Sequence, residues 1–107
     1  MRAVVQRSTD QSKLLRQQAG QWLRRQREDR KLTQRDLAEK IGLRYYTFIS
    51  QIESGQGRIP AEQYEGWANA LELNPQLFVK TLMMYYDPHT YRLLFPDEPG
   101  ADIGEEG

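Results

Sequence analysis

Side chains suited to covalent or metal chemistry are scarce in this chain, and its chemically expressive residues are arginines, amides and hydroxyls. There is no cysteine, which excludes a disulfide, a thiol nucleophile and any Cys-ligated zinc or iron–sulfur centre. A single histidine, His89, excludes a multi-histidine metal site within one chain; beside Pro88 it reads as a surface or packing residue. No carboxylate pair falls in a predicted cleft, no phosphate-cradling glycine loop follows a strand, and no nucleophile stands with a histidine. Neither catalysis nor a cofactor is expected. What remains is charge. The formal net charge is zero, yet residues 1–59 hold 13 Lys/Arg against 6 Asp/Glu (+7) while residues 60–107 hold 2 against 9 (−7). A phosphate backbone responds to the local field rather than to the total, so the first half implies a face for a polyanion.

The element that must position such a face is Thr33 to Gly55, TQRDLAEKIGLRYYTFISQIESG. It reads as two short helices joined by a tight turn. Thr33 can cap the first of them, with Asp36 three residues on as its acidic partner. Leu37, Ala38 and Ile41 then share one face while Arg35, Asp36, Glu39 and Lys40 share the other. Gly42 suits a backbone position of positive φ. The next helix is expected to carry Phe48, Ile49 and Ile52 inward and to stop at Ser54-Gly55. A pair this compact, with the small Ala38 at the crossing, has the plan of a DNA-reading helix-turn-helix.

The remaining chain supplies the support. Its 107 residues, 38% of them hydrophobic, fit one domain with a small core and unpacked tails. Residues 1–11 show no sustained periodicity and read as a flexible arm, with Arg2 and Arg7 available to solvent or DNA. Leu15, Ala19, Trp22 and Leu23 then fall at helical spacing. Gly20 costs roughly 1 kcal/mol relative to alanine, so a stable first helix is expected over 19–30, with 12–18 as a fraying or separately docked extension. Pro60 suits the first turn of a fourth helix, in which Tyr64, Trp67, Ala68 and Leu71 recur at core spacing. Asn74-Pro75 starts a fifth, running to about Tyr86. That helix is apolar around most of its circumference and needs a second partner. A second copy of the chain would meet it through Phe78, Leu82, Met83, Tyr85 and Tyr86; alternatively Tyr91-Arg92-Leu93-Leu94-Phe95 folds back over it. Residues 12–86 therefore form the domain, 87–95 an ordered extension, and 96–107 a disordered acidic tail. No signal peptide or membrane-length apolar run is present, so a soluble cytoplasmic protein with no membrane association is expected.

The set of motifs resembles the phage-repressor (Cro-like, XRE) helix-turn-helix family. The matching residues run from Gly20-Gln21-Trp22-Leu23-Arg24 through Leu32-Thr33-Gln34, Leu37-Ala38, Ile41-Gly42 and Ile49-Ser50-Gln51-Ile52-Glu53 to Gly55. They continue through Trp67-Ala68-Asn69-Ala70-Leu71 to Asn74-Pro75-Gln76-Leu77, about 60 residues in all. The resemblance implies an all-α, five-helix repressor-like domain that binds double-stranded DNA as a homodimer on an inverted repeat. It implies that Tyr46, Thr47 and Gln51 contact bases, Gln51 through an amide matched to adenine. Thr33, Gln34 and Arg35 at the second helix, Arg44, Tyr45 and Ser50 at the third, and Ser54, Gln56 and Arg58 beyond it would contact the DNA backbone. Arg27 and Glu53 would form a structural ion pair between the first and third helices.

The chain departs from that family by one extra residue in the turn Leu43-Arg44-Tyr45. One of Tyr45 and Tyr46 is expected to fill the enlarged space while the other faces DNA, and the residue types leave the assignment between them open. A second function, an antitoxin or adaptor using the fifth helix and the acidic tail to bind another protein, fits the same composition.

Overall fold

The computed structural model describes residues 2–97, with side chains from Asp10 onward. Met1 and residues 98–107, which include most of the tail expected to be disordered, lie outside the described residues. The described chain is all-α: α1 (Arg2–Asp29), α2 (Gln34–Ile41), α3 (Thr47–Ser54), α4 (Tyr64–Ala70), α5 (Pro75–Tyr86) and α6 (Pro88–Leu94). A 3-10 turn at Ala61–Gln63 follows Pro60 and leads into α4. There are six helices rather than five, because the extension after Asp87 is itself helical.

The starts follow from capping chemistry. The Thr33 hydroxyl accepts the Asp36 amide hydrogen (3.0 Å) while the Asp36 carboxylate accepts that of Thr33 (2.9 Å), a reciprocal capping box. Asn74 Oδ1 accepts from the Leu77 amide (3.0 Å) with Pro75 in the first turn. Asp87 repeats the device, accepting from the Thr90 amide (3.2 Å) ahead of Pro88. The same dipeptide chemistry that breaks α5 therefore starts α6.

The stops share one geometry. Lys31 (φ 58°), Gly42 (φ 91°), Gly55 (φ 85°) and Glu72 (φ 59°) are left-handed residues closing α1, α2, α3 and α4. In each case the next residue's amide reaches back five residues: Leu32 to the Arg27 carbonyl (3.2 Å), Leu43 to Ala38 (2.8 Å), Gln56 to Gln51 (2.9 Å) and Leu73 to Ala68 (2.8 Å). This is the Schellman arrangement, in which the residue after the left-handed one packs on the helix it terminates. Leu32, Leu43 and Leu73 do so, each packed against the core. After α3 that position is the exposed Gln56, so this one stop faces water.

α1 differs from expectation at both ends of its range. It runs unbroken through residues expected as an arm (2–11) and as a separate extension (12–18). Residues 2–19 contain no glycine or proline to stop a helix, and Leu15 and Ala19 are buried. Gly20 does not weaken the helix into a boundary; it lets α3 approach. A Cβ at Gly20 would stand 2.2 Å from the Glu53 carbonyl oxygen, and one at Gly55 would stand 2.5 Å from Gln17 Cγ. The crossing of α1 on α3 thus has a glycine on each side.

Leu23, Leu37, Ile49, Ile59, Trp67, Leu71, Phe78 and Leu82 are fully buried, each contributing about 1.5–3 kcal/mol by removal from water. Trp22 tilts onto Phe78 with ring centroids 5.7 Å apart. Phe78 and Leu82 were expected at a dimer interface, and this is corrected: they are 1% and 0% exposed within the chain's own core and offer no surface to a partner.

Glycine substitutions separate crowding from propensity. Gly20→Ala is expected to destabilise by about 1–3 kcal/mol through overpacking at the α1–α3 crossing. Gly66→Ala, inside α4 with its nearest neighbour atom at 3.7 Å, is expected to stabilise by about 0.5–1 kcal/mol. Urea unfolding of the two variants checks the sign of each.

The caps also set an acid limit. The backbone hydrogen bond to Thr33 lowers the Asp36 pKa, and hydrogen bonds to Thr90 lower that of Asp87. Depressed folded-state values mean stability that is present above the unfolded value, about 3.9, and lost as pH falls through the folded ones. Thermal midpoints between pH 7 and pH 3 should therefore fall less steeply in Asp36→Asn/Asp87→Asn than in the parent chain.

Candidate nucleic-acid interface

α3 has eight residues, too few to hold itself helical in water, so its orientation is set by what seizes its inner face. Ile49 and Ile52 enter the core. Glu53 is buried beside them and takes both ends of the Arg27 fork, Nε to Oε2 at 2.7 Å and Nη2 to Oε1 at 3.0 Å. Only 10% of the Arg27 side chain and 4% of that of Glu53 reach solvent. Arg27 Nη1 also donates to the Leu32 carbonyl (2.7 Å), so one guanidinium joins the stop of α1 to the end of α3. The Glu53 hydrogen bond raises the Arg27 pKa above its ordinary value, outweighing the opposing effect of burial; the guanidinium is charged at every pH at which the protein is folded.

With Ile49, Ile52 and Glu53 inside, Thr47, Ser50, Gln51 and Ser54 are left exposed at spacings of three and four residues, one outward stripe along α3. Ser54 bends back to donate from its hydroxyl to the Gln51 carbonyl (3.0 Å). Gln56 and Arg58 continue the exposed surface past the helix. Arg58 lies over the Tyr86 ring (4.4 Å to the centroid) and donates to the Tyr64 hydroxyl (3.3 Å), so its direction is fixed by aromatic neighbours. Thr33 and Arg35 are exposed at the start of α2. Gln34, expected at phosphate, instead directs its amide nitrogen to Glu53 Oε1 (3.1 Å) and completes the buried cluster.

The lengthened turn is filled by neither tyrosine. Leu43 packs against the core, while Tyr45 and Tyr46 are 56% and 40% exposed. Each carries an arginine: Arg44 stands 5.8 Å from the Tyr45 centroid and Arg35 stands 4.9 Å from that of Tyr46. With Ala38 and Glu39 these residues line a depression of about 460 Å³ between α2 and the start of α3.

Phe48 was expected inward and is corrected: it is 47% exposed, its ring 6.4 Å from that of Tyr45. A helical wheel places Phe48 beside Ile52, which is why it was read as core. Burial of Glu53 on the opposite flank rolls α3 and turns Phe48 out. The Arg27–Glu53 pairing was the signal that could have revealed this.

A family model described as a helix-turn-helix domain matches residues 20–88, from within α1 to the start of α6. The chain belongs to the helix-turn-helix domain family. No curated protein and no solved structure matches it. In this helix-turn-helix domain α2 and α3 form the motif, and family membership brings DNA binding in general. Among the described residues no helix is long and apolar enough to cross a membrane, and no cluster of three or more His, Asp or Glu could hold a metal ion.

Breaking the buried pair tests what holds α3. Glu53→Ala leaves a buried, unpaired guanidinium and is expected to cost about 3–5 kcal/mol, whereas Arg27→Met/Glu53→Leu should recover most of that loss. Denaturant unfolding of both variants checks the order.

Proposed function

We propose that this helix-turn-helix domain is a sequence-specific transcriptional regulator of the phage-repressor type, with α3 read into the DNA major groove. The observation that carries the reading is the outward stripe Thr47–Ser50–Gln51–Ser54 on a helix whose roll is locked by Arg27–Glu53. Gln51, Thr47 and Tyr46 face the bases; Gln51 offers one donor and one acceptor, the pair that adenine presents in the major groove. Arg35 and Arg44 precede α3 in the chain and Arg58 follows it, all three exposed, and they supply the charge for phosphates along a groove. Thr33, Tyr45, Ser50, Ser54 and Gln56 add neutral donors around the same edge. Gln34 contributes by holding Glu53 rather than by touching phosphate.

A homodimer on an inverted repeat, with recognition helices about 34 Å apart, completes the reading. Its support is apolar surface that the core leaves exposed: Leu77 (63%), Leu93 (83%) and Leu94 (59%), with the half-buried Met83 and Tyr85 on α5. The same surface fits a protein partner in the adaptor reading, and co-purification of a hetero-complex would favour that alternative.

Base and backbone contacts have different signatures. Gln51→Ala should lower affinity for a selected duplex by about 1–3 kcal/mol and relax one or two base positions. Arg44→Ala should weaken selected and scrambled duplexes alike and reduce the salt slope by about one. Fluorescence anisotropy titrations over a salt series read both; equal affinity for selected and scrambled DNA at physiological salt would overturn the reading.

A further inference from the structure

Phe48 is the one large apolar side chain of α3 that the core does not take, and Tyr45 packs on it from the turn. Leaving two adjoining aromatic rings in water forgoes about 25 cal/mol for each Å² of apolar surface. Neither ring belongs to the core, whereas Leu43 of the same turn packs against it. Gln51 lies three positions after Phe48, placing the two about 60° apart around the helix axis. Together with Ile52, Gly57, Arg58 and Pro60 they line a recess of about 190 Å³ on the same edge of α3. That is smaller than the roughly 300–1,000 Å³ of small-molecule sites, and the Phe48 ring forms part of its apolar lining. Arg58 inside the recess and Arg44 at the Tyr45 ring give its surroundings the charge that meets a polyanion.

We propose that Phe48, braced by Tyr45, is a specificity residue that reads the 5-methyl group of a thymine in the major groove, next to the base read by Gln51. The inference rests on the DNA-binding reading above. Thymine is the only base that presents a methyl on that edge, and phenylalanine is suited to meet it. Cytosine there would set its amino group against the ring and leave a donor without a partner.

The test uses the full chain and a duplex selected by it from a random-sequence pool. Each thymine is replaced singly by deoxyuridine, which deletes one methyl and nothing else. The parent chain should lose about fourfold in affinity at one or two positions, the worth of one buried methyl. Phe48→Ala should bind thymine and deoxyuridine equally there, Phe48→Leu should keep part of the preference, and Gln51→Ala should keep all of it. Because Phe48 lies outside the core, helical circular dichroism and the thermal midpoint of Phe48→Ala should match the parent; Phe48→Leu carries the test if they do not. Specific binding with no thymine sensitive to deoxyuridine overturns this inference alone. So does a Phe48→Ala variant with the parent's affinity and preference. Failure to select any sequence overturns the DNA reading and this inference together.

Discussion

The roll of α3 about its own axis decides what this domain can present, and a buried ion pair sets it. Ile49 and Ile52 hold the inner face in the core, but the hydrophobic driving force that buries them is not itself directional. The Arg27 fork and the two Glu53 oxygens are directional, and they meet at 2.7 and 3.0 Å. Desolvation offsets most of the energy such a pair gains, so its contribution to net stability is modest. Its contribution to orientation is large. Gln34, which could have served at a phosphate, is committed to the same cluster, and Phe48 is turned outward as a result of it. The glycine at each side of the α1–α3 crossing works to the same end, since a side chain at either would push the carboxylate away from the guanidinium.

Around that clasp the fold is assembled from helices too short to stand alone. α2 and α3 have eight residues each and α4 has seven, below the length at which isolated helices persist. Their ends are therefore as consequential as their middles. Four consecutive helices stop on a left-handed residue, and in three of them the following leucine is driven into the core. One stereochemical rule thus ends a helix, satisfies its carbonyls and delivers a core side chain. The exception comes at α3, where Gln56 replaces the leucine and the stop is left facing water.

Sequence patterns disclosed the parts governed by local rules. The capping box at Thr33, the glycine at residue 42, the Asn74-Pro75 start and the core face of α4 can all be read from residue types because each involves neighbours in the chain. The parts that were misread depend on contacts across it. Gly20 looks like a helix breaker until Glu53 is known to lie against it. Phe48 looks like core until burial of Glu53 is allowed to turn the helix. Lys31 and Glu72 are not glycines, so nothing in their types announces left-handed backbone; the signal is the leucine that follows each. The arm over 2–11 lacks an amphipathic rhythm, yet it also lacks any residue that would stop the helix growing back from Leu15.

α5 shows how an apolar circumference can be consumed within one chain. Phe78 and Leu82 are core. Tyr86 is engaged within the chain: its hydroxyl accepts the Ile59 amide hydrogen at 3.1 Å, and Arg58 lies on its ring. Burial raises its pKa, against the opposing pull of the Ile59 hydrogen bond and the Arg58 charge. On another side Val79 and Met83 line a groove of about 420 Å³ with Phe95, whose ring also carries Lys80 at 4.6 Å. Tyr91 is buried, pinning α6 in place. The segment after Asp87 thus covers one part of α5 from within the chain. The most exposed apolar side chains that remain are Leu77 at the start of α5 and Leu93 and Leu94 on α6. The chain's own packing thus leaves its most open apolar surface on the outer edge of α6 and the first turn of α5, while Tyr86 in the last turn of α5 braces the loop that follows α3.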